Sequence, residues 1–126
     1  MAYKKTYWMN VVLTAFAALL AVLAYDTHVA EHGYAHLPIF IIGYSFAVLT
    51  PLLTAIGLKK TDWTIVKWTA IVLNVIAALL FIQPLYHVFT STPYIRLIYI
   101  ADAGGLLVLF TTPSLINLKA LRNQSK

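Results

Sequence analysis

Five residues able to bind metal or move protons fall within one short stretch: Asp26, His28, Glu31, His32 and His36. His28, His32 and His36 stand at i, i+4 and i+8, which on a helix forms a stripe. An i, i+4 imidazole pair can chelate one metal, and imidazole suits copper or zinc. Asp26 or Glu31 could complete the ligand shell, and His87 is expected at the same outer level. Haem b held between His28 and His87 is a weaker alternative. Both would sit at helix ends, where a macrocycle is poorly enclosed. The competing reading is an interfacial loop whose histidines bond backbone, headgroups or a partner subunit. Histidine titrates near neutrality, so a pH-sensing role is a further option.

A second centre is Asp102, the one charged residue deep inside an apolar run. It is expected about 12 Å into the fourth helix, near the middle of a ~30 Å hydrocarbon core. An ionisable group at that depth should face protein or water. Ala101, Ala103, Gly104 and Gly105 around it are small, which lets another helix approach closely. Tyr44 and Ser45 are expected about 10 Å into the second helix from the same side, as hydrogen-bond partners. Asn74 should lie deeper. Asp102 either is protonated or bonded to Tyr44, pairs with a cation of another subunit, or carries protons or binds a cationic substrate.

The elements that must position these groups follow from the charge pattern. Uncharged stretches cover Thr6–Tyr25, His32–Leu58, Trp68–Ile95 and, apart from Asp102, Leu97–Leu118. A bilayer crossing needs about 20 apolar residues. The expected fold is an all-α membrane protein, an antiparallel bundle of four transmembrane helices over about residues 7–25, 37–58, 63–86 and 94–118. With four crossings, Lys4, Lys5, Lys59, Lys60, Lys67, Lys119, Arg122 and Lys126 fall on one side and Arg96 alone on the other. The positive-inside rule then puts both termini in the cytoplasm, in an integral protein of the cell membrane. Trp8 and Tyr25 suit the interfaces. Pro51 should kink the second helix, with Thr50 and Thr54 helping to satisfy freed backbone groups, and Pro113 should bend the fourth. The tail Lys119–Lys126 is expected to fray. Lys4-Lys5, the apolar run and Val22-Leu23-Ala24 also fit a signal peptide; the segment is expected to be retained as the first helix.

Composition narrows the function. The 126 residues are 61% hydrophobic and 10% charged, too apolar for a small soluble domain. The net charge of +5 flanks spans, which suits anionic cytoplasmic-side lipids rather than nucleic acid. With no cysteine, disulfides, thiolate metal sites and thiol catalysis are excluded. Neither a phosphate loop, His-Glu-x-x-His nor a nucleophile elbow occurs.

A weak internal repeat is visible. A shift of sixty aligns Trp8, Val12 and Leu13 with Trp68, Val72 and Leu73; a shift of sixty-two aligns Gly43, Thr50 and Pro51 with Gly105, Thr112 and Pro113. A tandem two-helix repeat would explain both.

The leading expectation is a small accessory subunit of a larger hetero-oligomeric membrane complex, a respiratory or metal-dependent (copper or haem) oxidoreductase. It would pack laterally beside other membrane subunits and border a lipid or quinone site. The alternatives are a proton-coupled transporter using Asp102 and a metal-delivery membrane protein. Length and helix count resemble small multidrug resistance transporters. That family carries its essential acidic residue in the first helix, and Tyr7–Tyr25 has none, so no residue roles carry over.

Overall fold

Long apolar runs without glycine or proline have no reason to leave the helix once it starts. In the computed structural model, which describes residues 3–124, every element is helical and no strand occurs among the described residues. The chain clusters into two compact units, Met1–Ala70 and Ile71–Lys126.

In the first unit, α1 runs over Lys4–His32 and α2 over Leu37–Lys59, and the two pack on each other. Helix α1 continues two turns beyond the expected end at Tyr25, because Asp26–His32 contains no breaker. It stops at Gly33, whose φ of 67° suits glycine and whose amide bonds the Val29 carbonyl. The expected outer loop is therefore mostly helix, followed by a 3₁₀ turn over Tyr34–His36. Pro38 sits in the first turn of α2, where its missing N–H costs nothing. Helix α2 passes through Pro51 without a break. The Thr50 hydroxyl donates to the Phe46 carbonyl and the Thr54 hydroxyl to the Thr50 carbonyl, each at 2.7 Å.

The third span divides into α3 (Thr64–Leu79), which crosses the unit boundary, and α4 (Ile82–Thr90). The break at Leu80–Phe81 precedes Pro84, whose ring would meet the Leu80 carbonyl in a continuous helix. The fourth span comprises α5 (Pro93–Leu106), a π-helical turn over Leu107–Thr111, and α6 (Thr112–Gln124). Pro113 offers no N–H to the Leu109 carbonyl, and the wider turn takes up the mismatch just before it. The Thr112 amide and hydroxyl both reach the Leu107 carbonyl. Helix α4 packs against α5. The tail expected to fray from Lys119 is helical to Gln124, with Ala120 and Leu121 buried.

Polarity is inverted relative to a soluble protein. The buried apolar residues are mostly alanines, while Phe16, Val22, Ile65, Val108 and many like them are exposed. The four spans Lys4–His32, Tyr34–Lys59, Thr64–Thr90 and Pro93–Gln124 are long and apolar enough to cross a membrane, with only 6–22% of their most apolar stretches buried. That much exposed hydrocarbon suits a lipid solvent, where small residues make the helix contacts.

Candidate functional site

The histidine stripe survives because α1 carries it. His28 and His32 occupy successive turns near the end of α1, with ring centroids 5.1 Å apart. His36, on the 3₁₀ turn, continues the series at 5.4 Å from His32. Phe40 extends it inward, 4.7 Å from His28 and 4.6 Å from Tyr44, with Tyr25 edge-on at 6.1 Å. The result is a ladder of rings within the first unit. His28 Nε2 lies 3.3 Å from the His36 carbonyl, tying the end of α1 to the turn that follows. Glu31 approaches His32 at 3.9 Å, with both side chains more than half exposed. An exposed pair of this kind contributes little to stability. Asp26 is exposed on α1.

The remaining proposed ligand is elsewhere. His87, on α4, belongs to the second unit and stacks on Tyr99 of α5 at 4.8 Å. His28 and His87, the haem pair considered above, are thus in different units. Among the described residues, no three His, Asp or Glu side chains are gathered to hold a metal ion. The ladder steps its imidazoles along one edge, where each could contribute singly to a neighbouring molecule.

The intramembrane polar residues are likewise divided between the two units. Tyr44, half-buried, and Ser45, exposed, lie on α2 in the first unit; Asn74 and Asp102 lie in the second. Asn74 is fully buried on α3 and accepts a 3.0 Å hydrogen bond from the Asn117 amide of α6. Asp102 is exposed on α5, and no described residue hydrogen-bonds or ion-pairs with its carboxylate. Arg96, six residues earlier, donates to the Ser91 carbonyl instead.

The buried polar residues that sequence reasoning passed over are Asn10, Ser114 and Asn117. The Asn10 amide donates to the Thr6 carbonyl at 2.8 Å. The available signal was residue type: Asn10 and Asn117 are amides in apolar runs, as Asn74 is, but lie near span ends. Thr111 was also missed. From the π turn its hydroxyl donates at 2.9 Å to the carbonyl of Ala78, beside the break between α3 and α4. The two irregular backbone segments of this unit therefore meet through one hydrogen bond, the kind of satisfaction that interrupted helices require away from water. The side chains of Asn10, Thr50, Thr54, Asn74, Ser114 and Asn117 are amides and hydroxyls, so these buried polar positions offer hydrogen bonds rather than acid–base chemistry.

Comparison with protein-family models, curated proteins and solved structures finds no match. The functional reading therefore rests on the chain's own chemistry.

Proposed function

We propose that this chain is an accessory subunit of a larger membrane-embedded complex, acting by lateral helix packing. The observation that carries the reading is where its mass lies. The connections between spans are only Gly33, Lys60–Trp63 and Ser91–Thr92, so little of the chain is left outside the bilayer for catalysis or for soluble partners. Four antiparallel spans with both termini cytoplasmic agree with the clustering of basic residues at Lys4, Lys5, Lys59, Lys60 and Lys67. The ring ladder at the opposite rim presents His28, His32 and His36 singly rather than as a chelate. That favours a subunit bordering the redox or metal centre of a respiratory or metal-dependent oxidoreductase over a metal carrier.

The test is reciprocal purification. The chain, tagged at its C-terminus, is extracted from its own membranes in mild detergent and its companions are quantified. The expected result is a fixed stoichiometry with defined membrane chains, each recovering this one when tagged in turn. Recovery of this chain alone, as a small homo-oligomer that moves protons in vesicles, would favour the transporter reading with Asp102 as coupling group.

A further inference from the structure

The sharpest anomaly is a carboxylate on an exposed face, within a span, with no hydrogen-bond or ion-pair partner among the described residues. Asp102 lies nine residues after Pro93, the start of α5. That is ~14 Å along the axis, close to mid-depth of a ~30 Å hydrocarbon core. At such a position a lone carboxylate is costly to bury in hydrocarbon and is found facing a partner or water. Asp is also too short to reach the headgroups from there. The protected side of α5 carries Tyr99, Ala103 and Leu106, and Phe110 of the π turn continues it. Asp102 is exposed at the border of this side, with Tyr99 and Leu106 at i−3 and i+4 on one flank, exposed Ile98 and Gly105 at i−4 and i+3 on the other, and exposed Ala101 beyond them. A Cβ placed on Gly105 would meet nothing within 4 Å, so the face is open to close approach.

Resting on the subunit reading, we propose that this face of α5 docks a transmembrane helix of a different chain that bears an arginine or lysine at the depth of Asp102. Charge complementarity selects the occupant. A second copy of this chain has no lysine or arginine to offer at that depth, because Thr6–Tyr25, His32–Leu58, Trp68–Ile95 and Leu97–Leu118 contain neither. It would bring another aspartate instead. A lipid headgroup stays at the interface, ~14 Å from the carboxylate. A basic side chain on a neighbouring span is the group that removes the cost, and Gly105 with Ala101 gives it the close helix contact that holds such a pair.

The chain has no cysteine, which makes a clean experiment available. Full-length Ala101→Cys, labelled with a benzophenone maleimide, is photolysed in native membranes and the cross-linked peptides are sequenced. Val72→Cys, on an exposed part of α3, serves as the lipid-facing control. The expected product joins position 101 to a span of another chain containing Arg or Lys, and the control does not form it. Asp102→Asn, which keeps shape but removes charge, should lower its yield by about tenfold, the equivalent of one interhelical polar contact. Gly105→Leu should do the same sterically while leaving Asp102 in place. Cross-links only to lipid, to a second copy, or to a span without a basic residue would overturn the proposal, as would full yield from Asp102→Asn. If any of these occurs while reciprocal purification still returns stoichiometric partners, the docking face is wrong and the subunit reading stands. If purification also returns none, both fall.

Discussion

The two units place their irregularities in opposite parts of the chain. In Met1–Ala70, both spans are continuous and the departures from helix are confined to the connections, at Gly33 with Tyr34–His36 and at Lys60–Trp63. In Ile71–Lys126, the connection at Ser91–Thr92 is brief, and the departures lie inside the spans, at Leu80–Phe81 and Leu107–Thr111. The contrast is sharpest at the repeated Gly–Thr-Pro pattern. Around Thr50-Pro51 the helix holds its register and buries both residues; around Thr112-Pro113 it widens to a π turn and leaves Thr112 exposed. The same dipeptide, at the same distance from a glycine, therefore does not dictate the backbone. Gly104-Gly105 doubles the weak helix formers ahead of the second site, and Thr111 finds the Ala78 carbonyl to bond. Irregular backbone inside a span is tolerated where another segment supplies the missing partner.

The difference can be broken by substitution. The largest effect is expected at Asn117→Leu, which leaves the Asn74 carbonyl oxygen without its 3.0 Å donor. Unfolding in mixed micelles should show a loss of about 2 kcal/mol. Asn74→Leu combined with Asn117→Leu should recover part of it, and strict additivity would mean that the two do not act as a pair. Next comes Pro113→Ala, which restores an N–H to the Leu109 carbonyl. Amide exchange across Leu107–Thr111 should slow by about tenfold as the turn tightens. Pro51→Ala should change exchange in α2 less, since that helix is already regular; an equal response would erase the contrast between the two sites.

Gly33→Ala tests the first unit at its positive-φ glycine. The φ of 67° with ψ of −170° is a region that only glycine occupies readily, so a loss of about 1 kcal/mol is expected in thermal unfolding. Thermal behaviour equal to that of the parent would mean the connection adapts freely. The smallest effect should come from Thr111→Val, which removes the hydrogen bond to Ala78. Interhelical hydrogen bonds in membranes average about 0.6 kcal/mol. Its clearer readout is faster exchange localised to residues 78–82, and an unchanged exchange pattern would show the two breaks to be independent.

Much of the helical architecture was legible in the residues, because hydrocarbon length and charge placement act on whole segments. The uncharged run Thr6–Tyr25 already marks a span, and Gly33 marks a stop. Boundaries were less legible. Asp26, Glu31 and the histidines suggested a polar loop, yet α1 carries them to His32, since polarity alone does not end a helix and glycine does. The break before Pro84 and the π turn before Pro113 depend on what each freed carbonyl can bond, which is a tertiary property. The candidate sites divided for the same reason. Residues close in sequence, His28, His32 and His36, stayed together. Asp102 and Tyr44 belong to different units, and no local pattern relates them. Asn74 found Asn117, 43 residues away, a pairing that no local pattern announces.

The most direct test of lateral assembly is native mass spectrometry of the particle released from the chain's own membranes. The account predicts a mass well above that of a few 14.1 kDa copies, made up of this chain and others in constant ratio. A clean monomer or small homo-oligomer, with no other chain attached under the mildest conditions that release it, would contradict the account.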